Sequence, residues 1–183
     1  MASTYSTSLK LELQATGENA GTWGDKTNTN LQLVEQAVGG YEEVSIAGGA
    51  GTTALTMSDG AASNARNMVV KLTGTITGNR IVTVPDSMEK VYIVSNGTTG
   101  SFTVQFKTAS GTGYTFVAAD KSVRVLFADG TNIVDTGIIN TSSTDTLTNK
   151  TLTSPTINGA TTTGTIANSA TIEGGTVSAV TLT

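Results

Sequence analysis

From Thr131 to Thr181 threonine returns every five residues, at 131, 136, 141, 146, 151, 156, 161, 171, 176 and 181, with Ile166 the single interruption. From Thr146 onward the next residue is mostly aliphatic: Leu147, Leu152, Ile157, Ile172, Val177 and Leu182, with Thr162 and Ala167 as weaker members. A helix needs apolar residues at steps of three and four, and a strand needs alternation. A stride of five serves neither for long. It suits short extended pieces joined by corners, each sending one aliphatic side chain to a shared axis. Asn149, Pro155, Asn158, Gly159, Gly164, Asn168, Gly174 and Gly175 supply the corner chemistry. Threonine, stiff and β-branched with a hydroxyl that tolerates water, suits the walls.

One aliphatic group per five residues is a thin core. Burying it is worth roughly 1.5–3 kcal/mol, while ordering five backbones costs about 5–10 kcal/mol. Backbone hydrogen bonds close part of the gap, and neighbours must supply the rest. Copies of the same chain wound about a common axis would do so. A self-contained pentapeptide coil and a disordered Thr/Gly/Ser/Asn tract are the other readings of the same pattern. The rhythm runs up to Thr183, as it would if the repeat continued in a longer parent protein.

The rest of the chain reads as β-dominated. Ser8–Gln14 alternates, with Leu9, Leu11 and Leu13 opposite Lys10, Glu12 and Gln14, which predicts a half-buried strand. Gly17, Gly21 and Gly24 surround Trp23, the one tryptophan, in a predicted turn. Thr27 to Val38 has helical spacing, with Leu31, Val34 and Val38 on one stripe and Leu33 and Ala37 beside it. Thr27, Asn28 or Thr29 is the expected cap, Thr29 with Gln32 as a capping box, and Gly39-Gly40 the stop. A strand and one short helix cannot enclose a core. Residues 1–40 therefore need another surface, whether the central domain, sister chains or a different protein. Trp23, Leu31 and Val34 are the candidate docking residues, with Trp23 either an interface anchor or a cover for the adjacent helix.

Between residues 41 and 140 nine β-rich runs recur: 43–47, 53–57, 68–73, 81–84, 91–94, 102–106, 114–117, 123–127 and 133–134. Asp59-Gly60, Gly78-Asn79, Asn96-Gly97, Gly111-Thr112-Gly113 and Asp129-Gly130 read as turns between them. This pattern predicts an antiparallel, jelly-roll-like β-sandwich. Its expected core is Val69, Leu72, Ile81, Val84, Val91, Ile93, Phe102, Val104, Phe106, Val123, Val125 and Phe127.

Lys71-Leu-Thr-Gly-Thr-Ile-Thr-Gly-Asn-Arg80 followed by Val82-Thr-Val-Pro85 resembles a module of bacteriophage tail-fibre proteins. So do Val91–Asn96, Phe102–Val104 and Val123–Asn132, while Thr146–Ile157 is similar to linker-like repeats of the same class. Leu13–Gly17, Gly21–Gly24 and Thr27–Asn30 resemble the opening of virion fibre proteins from phages of aquatic bacteria. Together these motifs span most of the chain. The resemblance implies a homotrimeric, non-enzymatic virion component, assembled in the bacterial cytoplasm. Such modules occur on tail fibres, head fibres and capsid decorations alike.

Composition narrows the chemistry. The chain has no histidine and no cysteine, which removes Ser-His and Cys-His nucleophiles, ordinary zinc sites and disulfides. Fourteen acidic against ten scattered basic residues give a net charge of −4, without the Lys/Arg footprint that nucleic acid demands. No apolar run reaches a membrane span, and Met1–Tyr5 lacks a basic stretch leading into an apolar one, so no secretory signal is expected. There is no phosphate-binding GxxxxGK[ST] sequence. Asp59, Asp86, Asp120 and Asp129 fall at turns, which disfavours the paired carboxylates of a glycosidase. Asp129-Gly130-Thr131-Asn132 reads as a hairpin turn before a Ca²⁺ loop.

The expectation is therefore a phage fibre with residues 1–40 docking, 41–140 a β-sandwich, and 141–183 a shaft lined by Leu147, Leu152, Ile157, Ile172, Val177 and Leu182. It needs no cofactor. Its partners would be its own copies and a tail adaptor or nozzle protein, with a host surface glycan or receptor beyond. The rivals are a capsid decoration or head-fibre protein, a polysaccharide-cleaving spike, and a receptor-binding tip, for which Tyr92 and Tyr114 are the candidate exposed aromatics.

Overall fold

Strands punctuated by glycine corners can fold back as hairpins or arch across to a second sheet. In this chain the first six strands of the central body arch. The computed structural model describes residues 2–138, and the shaft-axis residues Leu147, Leu152, Ile157, Ile172, Val177 and Leu182 lie outside that range. Two short strands, β1 (Thr4–Tyr5) and β2 (Glu12–Leu13), precede one helix, α1 (Trp23–Gly39). Nine strands follow: β3 (Tyr41–Ser45), β4 (Gly51–Ala54), β5 (Val69–Thr75), β6 (Arg80–Val84), β7 (Glu89–Thr99), β8 (Val104–Thr108), β9 (Gly113–Phe116), β10 (Val123–Asp129) and β11 (Ile133–Asp135).

Successive strands from β3 to β8 alternate between a five-stranded sheet, order β11-β10-β7-β5-β3, and a four-stranded sheet, order β4-β6-β8-β9. Within each sheet they stack parallel, β3 on β5 on β7 and β4 on β6 on β8. The result is three coils of a short β-solenoid, finished by two antiparallel hairpins, β8–β9 and β10–β11. The expected mainly β class holds, and each of the nine expected runs overlaps a strand, β4 by only Thr53 and Ala54, but the antiparallel jelly roll does not hold. The reason lies at the corners. Gly48 N–H donates to Thr75 O and Ile76 N–H to Thr99 O, so each corner hydrogen-bonds to the next coil instead of back to its own strand. Gly100 (φ +104°) comes so close to the Ile76 carbonyl that a Cβ would sit 2.2 Å from it, and no other residue fits. Asn96-Gly97 is no turn. It lies inside β7, where buried Asn96 donates to Asp120 O at 2.6 Å. The Asp129-Gly130 hairpin forms as expected, Asp129 Oδ1 accepting the Thr131 and Asn132 amides.

Leu72, Val84, Val104 and Phe106 enter the core as expected, joined by Val70, Val82, Tyr92, Val94, Phe116 and Leu126. Tyr92 and Phe106 meet edge-on, 5.4 Å between centroids, and the Tyr92 hydroxyl donates to Ala65 O at 2.8 Å. Val91, Ile93, Val123, Val125 and Phe127 were expected inside, yet they belong to the opposite phase of β7 and β10 and face outward; Val69 and Ile81 are half-buried and Phe102 is exposed. Val91-Tyr-Ile-Val94 is apolar on both faces, and a period of two cannot then choose the inner one. In Val123-Arg-Val-Leu-Phe-Ala128 the alternation favours Val123, Val125 and Phe127, and the fold inverts it by burying Arg124, whose guanidinium meets Asp120 at 3.6 Å.

Residues 1–40 are not a separate body. The described residues, 2–138, fall in one compact unit, and the N-terminal segment is tied to the solenoid by Gly60 N–H to Lys10 O at 2.8 Å and Glu89 N–H to Ser8 Oγ at 3.1 Å. The predicted strand over 8–14 shrinks to Glu12–Leu13, because Lys10 has φ +55°. Its polarity is also inverted: Glu12 is buried and Leu13 exposed. Lys26 holds Glu12 at 3.0 Å, Asn19 donates to it, and Asn30 brackets its backbone through N–H and C=O. The Lys26 contact, with Asn19 next, also holds the Glu12 carboxyl below its ordinary pKa.

Candidate interaction surface

The helix begins at Trp23, four residues before the predicted Thr27, with Thr22 at the N-cap making no side-chain cap bond. Asp25 in the first turn favourably meets the positive end of the helix dipole. Its stop is tight. Gly40 lies where a Cβ would come within 2.3 Å of both the Gln36 carbonyl and Asn67 Oδ1. Along the helix, Leu33 and Ala37 are buried, and Gln36 accepts from Arg66 at 3.2 Å. The other stripe faces water: Trp23 is 66% exposed, Leu31 62%, Val34 38% and Val38 64%. Steps of 8, 3 and 4 place these four within one ~80° sector of the helix. The structure therefore brings the predicted docking residues Trp23, Leu31 and Val34 onto one face and adds Val38. Trp23 does not lie buried against its own helix.

What keeps this helix in place is a residue the sequence did not flag. Arg66, in a 3-10 turn (Asn64–Arg66), is fully buried with no carboxylate partner among the described residues. Its guanidinium donates to Leu9 O at 3.0 Å, Gln36 Oε1, Ser58 O at 2.8 Å and Ala61 O. Four neutral acceptors from the N-terminal segment, the helix and one loop converge on a single cation. Burial pulls its pKa below the ordinary arginine value. Beside it Lys90 Nζ donates to Arg66 O and Asn67 O at 2.8 and 2.7 Å and lies 4.0 Å from the Tyr92 ring centroid. Burial, aided by the nearby Arg66 charge, pushes the Lys90 pKa down to about 7. A lone arginine amid Ser/Asn carries no periodic signal, so only the fold could show its role.

A second apolar surface covers the outside of the five-stranded sheet. Strand register aligns Val134, Phe127 and Val91 in one row and Val125, Ile93, Val69 and Tyr41 in the next, with Val123 adjoining. Tyr41, Val91, Val123 and Phe127 are between 37% and 55% exposed. Beyond them the next row carries Lys71 and Glu43, paired at 3.5 Å, and the far strand ends carry Glu89 and Asp129. Sequence had assigned most of this block to the core. Of the expected exposed aromatics, Tyr92 is fully buried, and Tyr114 is half-buried with its hydroxyl on Asp120 at 2.9 Å and its pKa pushed up to about 12, chiefly by burial.

Among the described residues no group of three or more acidic side chains is placed to hold a metal ion, and no helix is long and apolar enough to cross a membrane. No family model, curated protein or solved structure matches the chain.

Proposed function

We propose that the chain is a structural protein of a bacteriophage particle, a homotrimeric tail fibre or its particle-proximal part, which attaches through its N-terminal helix and presents host-recognition elements. The observation that carries this reading is the solvent-facing stripe of Trp23, Leu31, Val34 and Val38 on a helix pinned to a rigid β body by Arg66. A protein without a partner has no reason to hold a tryptophan and three aliphatics in water on an anchored helix, and large aromatics are the commonest anchors of protein contacts. The phage context comes from the resemblance of residues 13–17, 21–24, 27–30, 71–80, 82–85, 91–96, 102–104, 123–132 and 146–157 to fibre modules. The mechanism is mechanical: a fixed helix seats on the particle, and several fibres turn weak host contacts into avidity.

The test is incorporation. Particles assembled with a Trp23→Ala, Leu31→Asp chain should lack the protein by mass spectrometry, while wild-type particles carry it. Retention of the variant at wild-type copy number would remove the helix from the docking role. A particle reconstruction placing the wild-type chain on capsomers would replace the fibre reading with capsid decoration.

A further inference from the structure

We infer that the outer face of the five-stranded sheet is where copies of this chain meet. This rests on the self-association proposed above and adds the surface that produces it. An exposed apolar patch of about 300–600 Å² is the largest a soluble monomer usually carries. The block joins Tyr41, Val91, Val123 and Phe127, each between 37% and 55% exposed, through half-buried Ile93, Val125 and Val69.

Shape and charge select a second copy as the occupant. The block lies on regular strands of one sheet, in register across β10, β7 and β5. Such a face is best met by the same face of its neighbours, three of them turned inward around one axis with side chains interdigitating. Every copy brings that face in equal number. Of its bordering charges, Lys71 and Glu43 are already neutralised, pairing within one chain at 3.5 Å. Closing these faces on one another therefore leaves neither of these charges without a counter-charge, the usual penalty for burying ions. Glu89 and Asp129 lie at the strand ends beyond the apolar rows, where water still reaches them. The helix stripe remains free for a different protein.

The full chain tests this, by mass from light scattering and by thiol labelling in a protein that has no cysteine of its own. Wild type should run at a multiple of 18.6 kDa. A chain with Val91→Asp and Phe127→Asp should run at the single-chain mass with unchanged far-UV circular dichroism, its association weakened at least ~100-fold by like charges brought together. Leu31→Asp should leave the multiple intact. Independently, F127C should react with a maleimide far more slowly than Q105C, which sits on the outer face of the other sheet.

A wild-type chain at single-chain mass would sink the proposed self-association and this surface together. A wild-type multiple that survives V91D/F127D, or F127C labelled as fast as Q105C within that multiple, would sink the surface alone. F127C shielded in a single-chain species would mean that residues 139–183 cover the face, and shielding found only on particles would mean that another virion protein does. Either result overturns the inference.

Discussion

The two sheets of the body share one core but turn different surfaces outward. Outside the four-stranded sheet the aligned rows read Thr52, Ile81, Gln105 and Thr115, then Ala54, Thr83, Lys107 and Gly113. Outside the five-stranded sheet they read Val134, Phe127 and Val91, then Val125, Ile93, Val69 and Tyr41. A sheet in a sandwich needs one apolar face to make a core. The four-stranded sheet stops there. The five-stranded sheet is apolar twice over, and that second apolar face contributes nothing to the shared core. The contrast separates residues present for folding from residues present for contact.

The most direct way to break this comparison is to truncate one aromatic on each side of a sheet. Phe106→Ala, inside, should cost about 3–5 kcal/mol in urea unfolding, whereas Phe127→Ala in the V91D background, outside, should cost under about 1 kcal/mol. Equal losses would mean that the inner and outer phases are assigned wrongly. Next in size is Arg66→Met, which leaves the Leu9, Ser58 and Ala61 carbonyls without their donor. A loss of about 2–4 kcal/mol is expected, with faster amide exchange in α1 than in β5 and β7. Uniform exchange would show that Arg66 is not specific to the helix.

Lys90 sharpens the inner side of the same sheet through pH. Unfolded, it titrates near its ordinary 10.5; folded, at about 7. Between those values the unfolded chain binds more protons, so stability should rise with pH from about 7 to 10, by up to about 4 kcal/mol, and be flat below. Lys90→Met should flatten the rise. Above pH 10 the sign reverses, because buried Tyr92 is pushed above the ordinary tyrosine range and the unfolded chain ionises first. The smallest effect is expected from Gln105→Val with Thr115→Val. Stability should change by under about 0.5 kcal/mol, yet the chain should form larger species by sedimentation velocity, since its polar face would now mimic the apolar one.

Local pattern located the elements well. Nine strands, two of the hairpins and the helix were legible because β-branched runs, Asp-Gly turns and the 31-34-38 spacing are local signals. Pairing direction was not. Ile76–Asn79 can close a hairpin or arch to another sheet, and the choice rests on whether Gly48 and Thr99 lie opposite, some 25 residues away in sequence. The docking stripe was half legible. Spacing grouped Leu31, Val34 and Val38 as readily as Leu33 and Ala37, but only the position of Gln36 against Arg66 showed which group faces the body.

By itself the sequence determined a β-dominated chain, without the side chains for thiol or imidazole chemistry, carrying a surplus of apolar residues on β7 and β10. Tertiary structure decided which of those residues are core and which are surface. The physical reason is that side chains alternate along any strand, so a run apolar in both phases, as in β7, is ambiguous until a second sheet covers one of them. In β10 the phase carrying Arg124 could turn inward only because the fold brings Asp120 to meet it. Here the four-stranded sheet covers Tyr92, Val94 and Leu126, and Val91, Ile93 and Phe127 are left facing outward.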